Sequence, residues 1–455
     1  MPLIARLLAA GGRPVLVGGM VRDHLLGLDC KDVDIEVFGL SLERLTETLS
    51  AFGEVHAVGK CFGVLKLRLD GYEVDVSLPR RERKVGLGHR GFEVSYDAQM
   101  GYAEASSRRD FTINSIGLDL ATGETLDPWG GYEDLRRGVI RHISDAFDED
   151  PLRVLRACQF AGRFGFAIAP DTLSRCHSLR SELSTLSTER IWGEFRKLLL
   201  KADRPSQGIL ALEQTGALAL FPELGALQGV QQNPDYHPEG DVWTHNNLVL
   251  DACAGICRGE SLDENERLIV TLAALCHDFG KPATTRLEAG VWRAKGHEEA
   301  GEGPTRSFLG RIGCPPTWVQ DIVALVLQHT RPLRLWDQHR LDPVSDSAIR
   351  RLALKVSLNR LCLVSLADFR GRTTTDADGV CHAVEWLRQR AAALKVTHAA
   401  PLPLLQGRDL QALGVLPGSG MGKLLKLAYE AQLDGVFDDH AGGMDWLKQN
   451  VSLVV

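Results

Sequence analysis

Asp32 and Asp34, two residues apart in KDVDIEV, have the types and spacing best suited to metal chemistry in this chain. Val33, Ile35 and Val37 alternate with Asp32, Asp34 and Glu36. That period of two places the apolar set on the core face of a strand and the carboxylates side by side on the other. Paired carboxylates on a rigid strand suit Mg²⁺, which takes one or two protein carboxylates and completes its shell with phosphates and water. Upstream, residues 15–17 read as a short buried strand, Gly18-Gly19 as a tight turn, and residues 20–26 as a short helix. Such a turn brings backbone N–H groups close to a triphosphate at a helix N-terminus. Each feature alone fits a solvated strand face and an ordinary turn. In this order they point to nucleotidyl transfer with two metal ions.

The following elements supply groups that such a site needs. Residues 41–52 form an amphipathic pattern with Ser41 as N-cap. A β-hairpin follows, with Val64, Leu65, Leu67 and Leu69 on one arm, a turn at Asp70-Gly71, and Tyr72, Val74 and Val76 on the other. Glu73 and Asp75 share the polar face of the return arm, so either offers a third carboxylate to accept the 3′-hydroxyl proton. Asp75 is the first choice, and a surface carboxylate is the alternative. Residues 79–104, rich in glycine and basic residues, read as a mobile loop over the site. Arg108-Arg109-Asp110 then precedes an apolar strand, where a guanidinium grips phosphate bidentately. Asp148 to Pro151 open a helix with acidic residues and a proline. Asp150 and Arg153 lie one turn apart, as an intrahelical ion pair or as an acceptor and donor fork able to read a nucleobase edge. Another helix starts with Thr188 as its capping residue, and Glu194 and Lys197 fall on one face.

Composition bounds the class. With 455 residues, 44% hydrophobic and 24% charged, the chain suffices for two to four domains with real cores. No apolar run is long enough to span a bilayer. The N-terminus is too weakly patterned for a signal peptide, so the expectation is a cytoplasmic protein without a membrane partner. Ten cysteines are scattered; the closest pair, Cys253 and Cys257, has no partner pair, which argues for reduced, buried thiols. Net charge is −7, yet Arg80, Arg81, Arg83, Lys84, His89 and Arg90 cluster, followed by Arg136, Arg137 and Arg141, then Arg153, Arg156 and Arg163. Clustering of this kind serves a triphosphate or nucleic-acid groove, or a solvated face.

The motifs LVGGMVRD, KDVDIEV, RRDFTINS, DPWGGYEDL, EDPLRVLR and ERIWGEF occur in this order over residues 14–200. In order and spacing the chain resembles the class II tRNA nucleotidyltransferase and bacterial poly(A) polymerase family. The resemblance implies that Asp32 and Asp34 hold Mg²⁺, that Gly19 and Arg22 contact nucleotide, and that Arg109 contacts triphosphate or ribose. It further implies that Asp150 and Arg153 template CTP and then ATP, and that Arg156 supports phosphate binding. Gln159 stands where many relatives have a further arginine, and the return strand EVDVSL lacks a threonine found in some relatives.

A second constellation lies beyond residue 230. His245, His277-Asp278 at the end of an apolar helix, and Asp368 form a mixed imidazole–carboxylate set spread over about 120 residues. Such a set suits Ni²⁺, Mn²⁺, Fe or Zn rather than Ca²⁺ and resembles an HD-type phosphohydrolase, with those four residues as ligands. His297 and His329 are available for phosphate or a second metal. A divalent ion there polarises a phosphoryl oxygen and activates water. In family members with an intact HD domain, the associated activities are 2′,3′-cyclic phosphodiesterase, 2′-nucleotidase and phosphatase.

The expected fold is therefore α+β. A nucleotidyltransferase head with a small mixed sheet covers residues 1–137, an all-α neck and body 138–230, a helical HD domain 231–375, and a helical tail 376–455. The tail pattern suggests helices near residues 384–394, 407–413 and 424–431 and carries no assignable chemistry. The implied function is CCA addition to tRNA from CTP and ATP, with phosphohydrolase activity and no DNA partner. Poly(A) addition, CC-only or A-only addition is the nearest alternative. An HD metal phosphohydrolase with a non-catalytic RNA-binding N-terminal half is the alternative of another class. Monomer and homodimer are both compatible with the sequence.

Overall fold

The computed structural model describes residues 2–30, 32–53, 56–58, 64–69, 71–84, 92–374 and 379–450. They form two compact units, Met1–Leu220 and Phe221–Val455, with the α+β character expected. In chain order, the first unit begins with α1 (Pro2–Ala9), β1 (Arg13–Val17), α2 (Gly19–Leu25), β2 (Asp32–Phe38) and α3 (Leu42–Ser50). It continues with β3 (His56–Val58), β4 (Val64–Leu69), β5 (Tyr72–Ser77), β6 (Arg80–Lys84), β7 (Phe92–Tyr96), α4 (Tyr102–Ser107), β8 (Gly117–Asp119) and β9 (Thr125–Leu126). The main sheet runs β3-β4-β5-β2-β1-β8-β9. It is mixed, because β2 and β5 pair in parallel while the other neighbours are antiparallel. Ile35, Val37, Leu65, Leu67, Val74 and Val76 pack with Leu45 and Leu49 of α3 and Leu3 and Leu7 of α1. This core, buried by the period-two pattern, fixes which face of β2 carries the aspartates.

Helices complete the unit: α5 (Gly131–Arg137), α6 (Leu152–Phe164), α7 (Pro170–Ser178), α8 (Thr188–Lys201) and α9 (Ser206–Gln214). Ser41 caps α3 by accepting from Arg44 N–H at 3.2 Å, as its sequence indicates. Asp145–Glu149 is a 3-10 turn ahead of α6, so the acidic run precedes the helix instead of filling its first turn. Asp150 keeps extended backbone, and its carboxylate accepts from Leu152 N–H at 3.1 Å. The N-cap of α8 is Ser187, one residue before the expected threonine.

The loop expected over residues 79–104 is largely regular: β6 and β7 form an antiparallel hairpin, and α4 follows. The first arm escaped the sequence pattern because β6, RRERK, has no apolar residue, and the alternating Phe92, Val94 and Tyr96 of β7 therefore had no matching partner to mark a hairpin. Backbone pairing holds it, with Arg81 bridging Asp97 at 3.2 Å and Glu104 at 2.8 Å. Residues 85–91, including His89 and Arg90 of the basic cluster, lie outside the described residues, as does Asp70 of the β4–β5 turn.

The second unit is helical. Helix Val242–Gly259 packs on Leu358–Gly371 and on Glu264–Cys276, which in turn contacts Pro316–Gln328. Its last part has its own core of Leu405, Leu410, Leu424, Phe437 and Leu447. Helices there span His382–Ala393, Gly407–Ala412, Ser419–Leu433 and His440–Asn450. The last contains Gly442 and Gly443, which weaken its helical signature in sequence. Among the described residues no helix is long and apolar enough to cross a membrane. The nine described cysteines are free thiols, eight of them buried.

Candidate active sites

The first site forms where β1 turns into α2 beside β2. Gly18 has φ 74°, a conformation that favours glycine, and a Cβ there would sit 3.3 Å from Asp34 Oδ2. The backbone thus passes directly over the Asp34 carboxylate. Asp32 is exposed and Asp34 half-buried, and neither carboxylate has a hydrogen-bond or ion-pair partner among the described residues. Burial first, and then the neighbouring Asp75 carboxylate, push Asp34 above the ordinary carboxylate range. Two carboxylates short of positive charge, open to a cleft, fit a divalent cation.

The parallel register pairs Asp32 with Glu73 and Asp34 with Asp75. Asp75 also lies 3.0 Å from Lys66 Nζ, and the residues lining the cleft include neither Glu73 nor Asp75. The polar face of β2 is less solvated than its alternation suggests: Glu36 is 1% exposed, held by Arg109 at 3.2 Å and Arg108 at 3.5 Å.

A cleft of about 870 Å³ gathers Gly18, Gly19, Arg22, Asp32, Asp34 and Arg109 with Asp150, Arg153 and Arg156 of the helical part. Nine arginines and lysines and six aspartates line it, an excess of positive charge suited to a polyanion. Several arginines are already engaged. Arg22 is buried, donates to Asp23 Oδ1 at 2.8 Å and to Asn114 Oδ1, and stacks on Phe160 and Phe164. Arg163 holds the other Asp23 oxygen at 2.8 Å. Arg109 donates to the Asn114 carbonyl at 3.1 Å. Arg156 donates to Asp110 Oδ2 at 2.7 Å. Burial opposes ionisation of Asp110, but Arg156 and Asn114 outweigh it and hold the carboxyl below its ordinary value.

Asp150 and Arg153 do not form the intrahelical pair. Arg153 donates to the carbonyls of Ala146 and Arg108, both at 2.7 Å. Asp150 instead accepts from Arg190 Nη2 of α8 at 2.7 Å. Arg190, Lys197 and Lys201 line the cleft and were not assigned to this site from sequence. The ERIWGEF motif contains Arg190, but its distance along the chain hides the pairing with Asp150.

The second site is a cavity of about 250 Å³ lined by Asp278, His297, His329 and Asp368 among others. His277 caps helix Glu264–Cys276, and His329 caps Pro316–Gln328. The Nδ1 atoms of His277, His297 and His329 meet the carbonyls of Ala274, Ala294 and Val326 at 2.7, 2.8 and 2.7 Å. His245 Nδ1 lies 2.8 Å from Glu239 Oε1. With Nδ1 engaged as donor, each ring presents Nε2 as a lone pair, the arrangement of metal-bound histidines. The Nε2 atoms converge on carboxylates. His277 lies 3.2 Å from Asp278 Oδ2, His297 3.6 Å from Asp278 Oδ1, and His245 3.1 Å from Asp368 Oδ1. His297 and His329 Nε2 are 3.2 Å apart.

Among the described residues His277 Nε2 and Asp278 Oδ1 are buried without a hydrogen-bond partner, which a divalent ion would remedy. Burial first, and then His277, hold His329 down to about 3, a neutral ligand. Burial disfavours charge on His245, but Asp368 and Glu239 outweigh it and raise its pKa. Close approach makes the cluster possible: a Cβ on Gly280 would meet the His297 carbonyl at 1.9 Å. Asp278 and His297 share a site because residue 280 is glycine. Glu239 and Lys281, the latter 2.7 Å from Asp278 Oδ2, are the supporting residues that ligand spacing does not reveal.

Family models match these regions in order. Residues 15–141 match the Poly A polymerase head domain, 165–227 the "Probable RNA and SrmB- binding site of polymerase A", and 242–369 the HD domain. The class is thus an enzyme with a polymerase head and an HD domain in one chain. The multifunctional CCA protein of Xanthomonas campestris pv. campestris (strain B100) is 38% identical over 427 residues, covering 91% of this chain and 96% of that protein. That of Xylella fastidiosa (strain M23) is 35% identical over 443 residues, covering 94% and 98%. The chain belongs to the multifunctional CCA protein family. Its fold is also that of the Bacillus stearothermophilus CCA-adding enzyme solved with CTP, with TM-score 0.68 and 23% identity over 99% of this chain and 96% of that one. A Thermotoga maritima CCA-adding enzyme complexed with tRNA aligns with TM-score 0.60 and 21% identity, covering 99% and 94%.

Proposed function

We propose that this enzyme adds CCA to the 3′ end of tRNA from CTP and ATP, and that its HD domain hydrolyses phosphoesters at or near such ends. The observation that carries the first activity is the single cleft shared by Asp32, Asp34, Asp150, Arg153 and Arg156. Asp32 and Asp34 would hold Mg²⁺, which when bound supplies charge neutralisation and activation of the 3′-hydroxyl. Gly18 and Gly19 let the backbone approach the triphosphate, and Arg109 and Arg156 bind its oxygens. Asp75 raises the proton affinity of Asp34 across the ladder, a supporting part that fits its place outside the cleft lining. Asp150, fixed by Arg190, offers an acceptor edge, and Arg153, fixed by two carbonyls, offers a donor edge. Together they select the base without a nucleic-acid template.

In the HD domain, His245, His277, Asp278 and Asp368 would hold a divalent transition metal such as Ni²⁺ or Mn²⁺, which when bound polarises the phosphoryl group. Lys281 and Arg372, which line the cavity 2.7 Å from Asp278 Oδ2 and 3.0 Å from Asp368 Oδ2 respectively, neutralise the anion, and Glu239 orients His245. The test is incubation with Mg²⁺, labelled CTP or ATP, and tRNA transcripts ending before CCA, after C, and after CC. Addition that stops at CCA supports the reading. Unlimited ATP addition means a poly(A) polymerase, and A without C an A-adding specialist. No incorporation, with phosphate released from a 2′,3′-cyclic end, leaves only the HD activity.

A further inference from the structure

The metal-ligand cavity has aromatic walls that its ligand set does not use. Tyr236 and Trp292 both line it, alongside Lys281, Arg293 and Arg372. Tyr236 is 63% exposed and Trp292 half-buried. Neither ring has a stacking or hydrogen-bond partner among the described residues. Local structure, not core packing, holds them in place. The Tyr236 N–H donates to the Asn233 carbonyl at 3.1 Å, in a loop closed by Val242 N–H to Val230 O at 2.9 Å. Trp292 stands opposite Leu287 in the ladder between Arg286–Glu288 and Val291–Arg293. The turn residues Ala289 and Gly290 have φ of 49° and 78°, as a two-residue turn matching strand twist requires. A hairpin with no core role thus places a large aromatic ring at the edge of a polar, cation-lined cavity.

We propose that Tyr236 and Trp292 bind the base of the nucleotide whose phosphoester the HD site hydrolyses. The inference rests on the phosphohydrolase reading above. The phosphoester occupies the floor beside Lys281 and Arg372, and the base stacks on the two rings at the rim. Base–aromatic stacking is tolerant of base identity. The site therefore prefers nucleotides to simple sugar phosphates without choosing among the four bases. A cavity of about 250 Å³ takes one nucleotide, the terminal one of an RNA end included.

The test compares the four nucleoside 2′,3′-cyclic phosphates with 1-O-methylribose 2′,3′-cyclic phosphate, which lacks only the base. The proteins are the full chain and its Tyr236→Ala, Trp292→Ala and Trp292→Phe variants, loaded with Ni²⁺ or Mn²⁺. Each alanine variant is expected to raise KM for all four nucleotides by about 5- to 150-fold, the range for loss of one stacked base. Its kcat, and its KM for the baseless substrate, should stay near those of the parent, and Trp292→Phe should retain most nucleotide affinity. Unchanged KM for nucleotides in both alanine variants would overturn the base-binding role and leave the phosphohydrolase reading standing. Equal losses on nucleotide and baseless substrates would also overturn it, by showing a merely structural role. A parent enzyme that cleaves neither substrate would overturn both readings.

Discussion

At the scale of single residues, the two sites solve opposite electrostatic problems. In the head, burial and the neighbouring Asp75 disfavour charge on Asp34, and among the described residues neither Asp32 nor Asp34 has a protein cation bonded to it. In the HD site, every ligand histidine is fixed through Nδ1 and every carboxylate is crowded by imidazoles. Substituting Asp34→Asn is expected to lower CTP and ATP incorporation by more than about 100-fold, the upper figure for loss of a supporting contact at a metal. Cyclic-phosphate hydrolysis, measured on the same preparation, should not change. Glu239→Gln tests support instead of ligation: it weakens the acceptor that orients His245 and is expected to cost about 10- to 100-fold in HD-metal affinity or hydrolysis. Metal titration monitored by calorimetry reads this directly. Asp32 and Asp34 stood out in the sequence by their spacing and His277-Asp278 by a helix end, whereas His245 and Asp368, 123 residues apart, were nominated as ligands by the resemblance. The pairings of Arg190 with Asp150 and of Asp110 with Arg156 span 40 and 46 residues and leave no local signal; Glu239 lies six residues from His245, yet nothing in that spacing marks a supporting carboxylate.

At the scale of elements, buried ion pairs join the sheet to the helices that complete the cleft. Asp110 accepts from Phe111 N–H, Asn114 and Arg156, tying the segment after α4 to α6. Replacing Asp110 by alanine strands Arg156, and a loss of about 1.5–3 kcal/mol is expected for charged hydrogen bonds of this kind. The sign with pH follows from its depressed pKa in the folded state. The stabilisation is fully present above the unfolded carboxylate value, about 3.9, and is lost as pH falls through the lower folded value. Urea denaturation at descending pH should therefore bring parent and variant closer together below about pH 4. Gly280→Ala acts by contact alone, pushing the His297 backbone away from Asp278. A cost of about 1–3 kcal/mol is expected for such overpacking, with loss of HD metal retention and intact nucleotide incorporation. The β6–β7 hairpin and helix His440–Asn450 show where element reading fails. The first arm of one has no apolar residue and the other contains two glycines, so tertiary pairing and packing on Phe437 and Leu405 decide them.

At the scale of the molecule, two compact units carry two donor sets of different hardness. The head offers carboxylates, and the HD unit offers imidazoles with carboxylates. Exhaustive chelation is expected to abolish both activities, with Mg²⁺ restoring incorporation and Ni²⁺ or Mn²⁺, rather than Mg²⁺, restoring hydrolysis. Recovery of hydrolysis with Mg²⁺ alone would contradict the ligand assignment. The order of motifs separates the two sets in the sequence, but how the HD set is held depends on the Nδ1 anchors. His277, His297 and His329 each engage a carbonyl only three residues earlier. A ring's tautomer is thus written into one turn of its own backbone, so ligand orientation is settled locally and does not await the ion. Capturing the metal then requires no ring rotation and no proton shift between the two nitrogens of an imidazole. Nitrogen-15 NMR of the metal-free protein should accordingly find these three rings already in the Nδ1–H form.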